Sequence, residues 1–529
     1  MSTSTGPLPP PQTEALGPAA TPGPAATAGE AAPPVTPAGA GAEVRPEQVP
    51  AGASPVREGA RVVIVGGGPG GYEAALVARQ LGARVHVIER QGMGGSAVLT
   101  DVVPSKTLIA TAEWMTVTEQ AGELGIGAEG EDGALRADMD VVDRRVMRLA
   151  QKQSKDIRTR LEREGVQIVE GTGRIEPTIH PDGSRLVRAT THDGAEEAFP
   201  ADVVLLATGA TPRVLPTARP DGERILTWAQ MYNLTAIPEH LVVVGSGVTG
   251  AEFAGAYNAL GAQVTLVSSR DRVLPGEDEH AAELIEAVFR RRGMTVLPRS
   301  RAAGVRRTGD GVVVELTDGR TVAGSHCLVA VGGVPATDGL GLAAAGVETT
   351  SAGHIVVDRV SRTAALGVYA AGDCTGVLPL ASVAAMQGRI AMWHALGDAV
   401  APLNLGIVPA NIFTAPEIAT IGVTQRQIDA GEVDGVITRL PLSRNPRAKM
   451  LAISEGFIKL FSDRASGTVI GGVVVAPRAA ELIHSITIAV TQRITVDQLA
   501  NVFTIYPSLT GSIAEAARTL HRAGEVRRA

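Results

Sequence analysis

The chain has 529 residues, too many for a single hydrophobic core, so roughly two to four domains are expected. It is 44% hydrophobic and 19% charged, an ordinary folded composition, and its net charge of −7 gives no footing for nucleic-acid binding. Its two cysteines, Cys327 and Cys374, lack metal-like spacing and argue against a disulfide framework, a zinc site or an intrachain dithiol centre. No run of about 20 apolar residues suggests a membrane span. With neither a basic n-region nor an apolar h-region at the N-terminus, a cytoplasmic location is expected.

Residues 1–59 are rich in Pro, Ala, Gly and Thr, without aromatics or hydrophobic period. Such a segment cannot bury enough apolar surface to offset its ordering entropy, and disorder is expected. From Arg61 the pattern changes. Arg61 to Val65 reads as a buried parallel strand, a helix is predicted over Tyr72 to Leu81, and a second strand runs from Arg84 to Ile88, ending at Glu89. Between them Gly66, Gly68 and Gly71 fit G-x-G-x-x-G. The first glycine permits a tight turn, the second lets backbone N–H groups approach a pyrophosphate, and the third lets helix and strand pack closely. The helix N-terminus then offers free amides and the positive end of its dipole to the phosphates. Glu89, 89 − 66 = 23 residues past the first glycine, can accept hydrogen bonds from a ribose diol.

The chain continues through Gly94-Gly95-Ser96 to Pro104-Ser105-Lys106, with a helix predicted from about Thr107. A dinucleotide motif followed at once by this segment resembles the flavoprotein disulfide reductases, the family of lipoamide dehydrogenase, glutathione reductase and mercuric reductase. The resemblance implies FAD at the first glycine unit, with Gly95, Ser96 and Lys106 against it. In that family the segment carries two redox cysteines in the pattern GGTCxNxGCxPSK. The matching positions here are Ala97 and Val102, and neither can hold a thiol.

Asp138 to Gly165 has helical periodicity with a charged, solvated face, and short strands follow with Asp182-Gly183 and Asp193-Gly194 as tight turns of a β-meander. Asp202 to Gly209 is similar to the family's ATG motif, which implies FAD contacts at Thr208 and Gly209. Leu241 to Val267 repeats strand, glycine loop and helix with Gly245, Gly247 and Gly250, and the resemblance assigns this unit, with Gly332, to NAD(P). At 245 + 23 stands Ser268, which neither grips a ribose diol like a carboxylate nor repels a 2′-phosphate. Arg270 and Arg272 either pair with that phosphate or are solvated surface charges. The arginines typical of NADPH-specific relatives would match Ser269 and Pro275, so use of both NADH and NADPH is expected.

The resemblance pairs Glu252 with Lys106 beside the flavin, where an ammonium stabilises negative charge on the reduced ring. The plainer reading is an ordinary ion pair between domains. Val248 stands where several relatives place a tyrosine gate, and Gly333 replaces their usual arginine. Thr363 to Asp373 matches the second flavin signature and gives Asp373 the ribityl contact. Cys327 and Cys374 read as small core residues. From about Leu405 the chain is similar to the family's interface domain, whose HPTxxE loop supplies an acid/base His and its orienting Glu to the partner's site. Here Tyr506 and Gly511 occupy those positions, and Tyr506 either lines the acceptor cavity or packs in the dimer seam.

The fold class expected is α/β, with two Rossmann-like dinucleotide-binding domains and a C-terminal α+β dimerisation domain. The expected division is 60–212 and 336–404 for FAD, 213–335 for NAD(P), 405–522 for dimerisation, and a tail at 523–529. Cysteines, base and orienting acid are all absent while the flavin, nicotinamide and dimer signatures remain. This pattern is most similar to the disulfide-lacking NAD(P)H–quinone reductases among actinobacterial lipoamide dehydrogenase homologues. The resemblance implies a homodimeric flavoprotein that passes hydride from NADH or NADPH to a small quinone-type acceptor, with ping-pong kinetics. A soluble transhydrogenase and a non-catalytic flavoprotein subunit or redox sensor remain alternatives.

Overall fold

The computed structural model describes residues 59–119, 121–126 and 135–521. The expected disordered segment 1–59, apart from Gly59, and the tail 523–529 lie outside the described residues.

Arg61–Val65 is an interior strand of a seven-stranded sheet. It pairs in parallel with Arg84–Glu89 on one side and Val203–Leu206 on the other, and Val368–Ala370 extends that second side. Four of the five residues of Arg61–Val65 and all four of Val203–Leu206 are buried, as strands covered on both faces must be. Beyond Arg84–Glu89 lies Gln167–Ile179, then Arg185–Thr191 and Glu196–Ala201 in antiparallel pairing. The predicted meander is therefore continuous with the main sheet, and its turns place Gly183 and Gly194 at φ of 83° and 86°.

A second sheet is wholly parallel, in the order Thr295–Leu297, Gln263–Val267, His240–Val244, His326–Val329 and Ile225–Leu226. A three-stranded antiparallel ribbon, residues 302–324, is inserted between its strands Thr295–Leu297 and His326–Val329. The C-terminal part is a five-stranded antiparallel sheet whose central strands are Val469–Ala476 and Phe457–Asp463, with the helix Ala479–Thr491 packed on it. The fold is α/β, with two nucleotide-binding units and a separate C-terminal sheet.

Two helices begin earlier than expected, each with a proline in its first turn. The first runs Pro69–Gln80 rather than from Tyr72. Pro69 has no N–H to lose at the first helical position and its fixed φ suits a helix start. The second runs Val102–Glu119 rather than from Thr107, with Ser105 N–H donating to Asp101 O at 2.8 Å. Pro104 thus lies in the first turn, where no amide hydrogen bond is required of it. The predicted helix 138–165 spans Met139–Arg163, capped by the Asp138 carboxylate accepting from Val141 N–H.

Candidate active site

The two glycine loops meet the same steric demand in the same way. At Gly71 a Cβ would stand 1.9 Å from Gly66 O, and at Gly250 it would stand 1.9 Å from Gly245 O. Gly66 and Gly245 have φ of 106° and 114°, and a Cβ on either would strike a neighbouring strand-end carbonyl, Ala207 or Ala330, at 2.2 and 2.1 Å. Above Gly68 and Gly247, the helix N-caps, a Cβ would meet no protein atom within 4 Å. Those two open spaces are where a pyrophosphate fits against bare amides.

At the first loop Glu89 is buried, and its Oε2 accepts from Gly67 N–H at 2.6 Å while Oε1 accepts from Gln91 N–H at 2.7 Å. The carboxylate stands at the predicted place and also stiffens the loop. Gly95 lies directly on Gly68, where a Cβ would come within 3.0 Å of the Gly68 Cα, and Gly94 N–H donates to Gly67 O at 2.8 Å. The segment from Gly94 to Lys106 is thereby seated on the phosphate loop. Ser96 is exposed beside it.

Three further groups fit a dinucleotide rich in hydroxyls. Thr208 Oγ1 is buried with no hydrogen-bond partner among the described residues beyond the weakly polar Cys374 thiol, and Gly209 follows it at φ 71°. Asp373 has no side-chain hydrogen bond among the described residues, and burial raises its pKa. The backbone before it is held by Gly372 N–H donating to Gln387 Oε1 at 2.9 Å. Gln387 was not foreseen, because nothing local marks a helix residue as the support of a distant turn.

Lys106 and Glu252 come together as expected, with Nζ 2.6 Å from Oε2. Glu252 is almost sealed, its side chain 4% exposed, whereas Lys106 keeps 27%. Phe413 completes the unit: its N–H donates to Glu252 Oε1 at 2.9 Å and its ring centroid lies 4.9 Å from the ammonium. Phe413 carried only a dimer-domain expectation, since no sequence signal aims it at a carboxylate 161 residues away. The open side of Lys106 faces a cavity of about 270 Å³, lined also by Ile109, Glu113, Phe413, Arg478 and Glu481. Burial raises the pKa of Glu113 against the opposing charge of Arg478. A larger hollow of about 540 Å³, beside Val214, Arg219 and Gln230, includes none of the expected site residues.

Asp101, immediately before Val102, has no counterpart role in the family pattern. Burial pushes its pKa up to about 6, with Lys106 lowering it and Glu252 and Asp373 raising it. The signal that could have found it is an acid where the family pattern has the glycine before the second cysteine.

At the second loop two of the side chains considered are engaged within the protein. Ser268 is fully buried, and its hydroxyl is spent on Ser246 Oγ at 2.7 Å and on the backbone of residues 270 and 272, so it is not presented to a ribose. Arg272 is paired with Glu279 at 2.8 Å, because the acidic first turn of the next helix neutralises it. Arg270 has no ion-pair partner among the described residues. Gly332, at φ 90°, is exposed and its carbonyl accepts from Arg213 N–H at 2.9 Å. Val248 is 43% exposed at the first helical position, as an ungated loop requires.

Both cysteines are buried and free, in different cores. Burial pushes their thiols up to about 12 for Cys327 and about 11 for Cys374, so neither is available as a thiolate. Ala97 and Val102 lie on two short-spaced helices at the cradle, without thiols. Tyr506 is 83% exposed and has no hydrogen-bond partner among the described residues, so within one chain it is not joined to Lys106 or Glu252. Its loop is tethered instead by Asn445, whose Nδ2 donates to Ser508 O at 2.9 Å. No described helix is long and apolar enough to cross a membrane.

Comparison with known proteins accords with this geometry. Residues 60–388 match the model of the pyridine nucleotide-disulphide oxidoreductases, and residues 408–517 match that family's dimerisation domain. The chain is 54% identical over 463 residues to an NAD(P)H dehydrogenase (quinone) of Mycobacterium tuberculosis, covering 87% of this chain and 94% of that one. It is 32% identical over 460 residues to a dihydrolipoyl dehydrogenase of Chlorobaculum parvum, covering 86% and 96%. The crystal structure of LpdA from Mycobacterium tuberculosis superposes with a TM-score of 0.84 at 53% identity, over 88% of this chain and all (100%) of that one. The chain is a member of the pyridine nucleotide-disulphide oxidoreductase family, the flavin-dependent enzymes that use FAD and NAD(P)H.

Proposed function

We propose that this chain oxidises NADH or NADPH and passes the electrons to a small quinone-type acceptor without a redox disulfide, as a cytoplasmic homodimer. The observation that carries the reading is the contrast between the two sealed thiols and the intact, partly open Lys106–Glu252–Phe413 unit. The relative named NAD(P)H dehydrogenase (quinone) supports it. A bound FAD would supply the two-electron chemistry that links nicotinamide oxidation to acceptor reduction.

The chain's own residues divide the labour. Residues 60–212 with 336–404 hold FAD through Gly66, Gly68, Gly71, Glu89, Gly95, Ser96, Thr208, Gly209 and Asp373. Residues 213–335 hold the nicotinamide through Gly245, Gly247, Gly250 and Gly332. Arg270 is left to meet a 2′-phosphate, which supports use of both coenzymes. Lys106 is a fixed positive charge for a ligand that becomes more anionic as it is reduced, and Glu252 and Phe413 hold that charge in place before reaction. Residues 405–522 pair two chains, a role supported by the exposed Phe503, Ile505 and Tyr506, which a lone chain leaves in water. Pairing would bring Tyr506 to the partner's acceptor cavity.

The test is anaerobic reduction of the flavin-loaded protein with NADH or NADPH, followed by mixing with benzoquinone or lipoamide. Rapid return of the oxidised flavin spectrum with benzoquinone and none with lipoamide is expected. Reoxidation by lipoamide would overturn the reading, and hydride return only to the other nicotinamide would replace it with transhydrogenation.

A further inference from the structure

Lys106 belongs to the helix Val102–Glu119, yet neither of the two groups described above as holding its ammonium does. Glu252 is on the helix Val248–Ala259 of the second glycine unit. Phe413 is in the turn between the strands Ala410–Ile412 and Glu417–Gly422 of the C-terminal sheet. A charge that must be in place before reaction is therefore held from two other parts of the chain. What fixes those parts to one another decides where the charge stands.

The bonds around the turn close a ring. Phe413 N–H donates to Glu252 Oε1 at 2.9 Å. Two residues on, the Ala415 carbonyl accepts from Arg292 Nη1 at 3.1 Å. Arg292 caps the helix Glu279–Arg291, and its own carbonyl accepts from Asn258 Nδ2 at 3.4 Å. Asn258 is on the same helix as Glu252, 258 − 252 = 6 residues further along, which is about 9 Å of helix axis. The path from Glu252 through Phe413, Ala415, Arg292 and Asn258 thus returns to the helix on which it began. Between the two bridges the turn is braced from within, since Thr414 is buried and its Oγ1 donates to Pro416 O at 2.7 Å.

One attachment alone would let the turn pivot about a single N–H···O contact. The second, at Ala415, removes that freedom and keeps the Phe413 ring centroid 4.9 Å from Lys106 Nζ, inside the range of roughly 6 Å over which a ring attracts a cation. Drift of the turn would also withdraw the donor from Glu252 Oε1, and a sealed carboxylate oxygen without a donor is unfavourable.

We propose that Arg292 is a positioning residue for flavin reduction. It acts through the 413–415 turn to hold Phe413 on Glu252 and Lys106, so that two helices of the coenzyme-side unit set the place of a charge carried by the flavin-side unit. The inference rests on the reading of Lys106 as the fixed charge of the site. The neighbouring Arg291 supplies the contrast. It ties the same helix end to the same C-terminal domain through Glu455 at 2.6 Å, but Glu455 is outside the turn.

The experiment uses the flavin-loaded full chain and the variants Arg292→Ala, Arg292→Lys, Phe413→Leu and Arg291→Ala, with Lys106→Met as the reference for the site. Flavin content and the visible spectrum establish that each is folded. The readouts are the limiting rate of flavin reduction by NADH with its apparent dissociation constant, the midpoint potential of the bound flavin, and amide hydrogen exchange of the peptide spanning residues 411–417. Arg292→Ala should slow the limiting rate roughly tenfold while the dissociation constant stays within about twofold, because the residue acts on geometry and not on the coenzyme. The potential should fall, because a charge that favours the reduced state is held less firmly, and exchange of the turn should rise. Arg292→Lys keeps a donor and should retain most of the wild-type rate, whereas Arg291→Ala should change none of the readouts. In the Phe413→Leu background Arg292→Ala should add less than about twofold, since the two residues act as one unit. An unchanged rate in Arg292→Ala overturns the proposal, and so does equal slowing in Arg291→Ala or full additivity with Phe413→Leu. If Lys106→Met leaves the rate unchanged, the reading of the site fails and the clamp with it. Slowing in Lys106→Met without slowing in Arg292→Ala refutes the clamp alone.

Discussion

Lys106 and Lys459 are built into the molecule from the same parts. Each meets a carboxylate at 2.6 Å across two distant elements, Glu252 and Asp278 respectively, and each lies near a phenylalanine ring, at 4.9 Å from Phe413 and 5.7 Å from Phe457. The carboxylate side chains are equally sealed, at 4% exposed. The lysines are not: Lys459 is 1% exposed and Lys106 27%. Lys459 also meets both oxygens of Asp278 and the His280 Nδ1 at 2.9 Å, so protein groups surround it. Lys106 has one carboxylate oxygen, one ring and a cavity. A lysine whose donors are all taken fastens the helix Glu279–Arg291 to the C-terminal sheet, whereas one that keeps an open side can meet a ligand.

The contrast is most severely tested by removing one partner from each pair. Asp278→Ala leaves an enclosed ammonium without its counter-charge and should cost about 3–5 kcal/mol in unfolding experiments. The flavin that remains bound should still be reduced by NADH at close to the wild-type rate. Lys106→Met removes a partner that is itself partly exposed, so water can take its place beside Glu252 and the stability loss should be smaller, about 2 kcal/mol. Flavin reduction in the stopped-flow instrument should nevertheless slow about tenfold or more, because a preorganised charge is lost. Equal effects of the two substitutions on reduction rate would erase the distinction drawn here.

The same logic separates two arginines. Arg272 is committed to Glu279, and Arg270 has no such partner among the described residues. Arg270→Ala should raise the KM for NADPH several-fold with little change for NADH, a loss of about 1 kcal/mol. Arg272→Ala should alter neither KM.

The smallest effect is expected at an acid with no counter-charge. Asp143 Oδ2 is buried without a hydrogen-bond partner among the described residues, and burial, aided by Asp140, pushes its pKa up to about 7 from an ordinary 3.8. Between those two values the folded chain keeps a proton that the unfolded chain releases, so stability falls as pH rises through that window. Asp143→Asn should therefore raise Tm by a few degrees at pH 8 and leave it unchanged near pH 4, as thermal unfolding at the two pH values would record.

What could be read in the sequence was whatever a short stretch of chain must satisfy by itself. The glycines of the two loops are demanded by contacts of 1.9 Å that lie within six residues of each other. Glu89 reaches Gly67 because a strand, a turn and a helix of standard length return the chain to its start. Even the helix starts at Pro69 and Val102 have a local reason, a proline that the first turn tolerates.

What the tertiary structure decided was burial and pairing, which depend on elements far apart in the chain. Lys106 finds Glu252 across 146 residues, and only the return of the C-terminal domain supplies the Phe413 amide that uses the second oxygen. Ser268 sits at the ribose-reading position of its motif, yet Ser246 and the turn behind it take its hydroxyl. Arg270 and Arg272 are alike in sequence and differ in what the next helix places beside them. Steric need is a property of neighbours in the chain, whereas the charge and availability of a side chain belong to its neighbours in space.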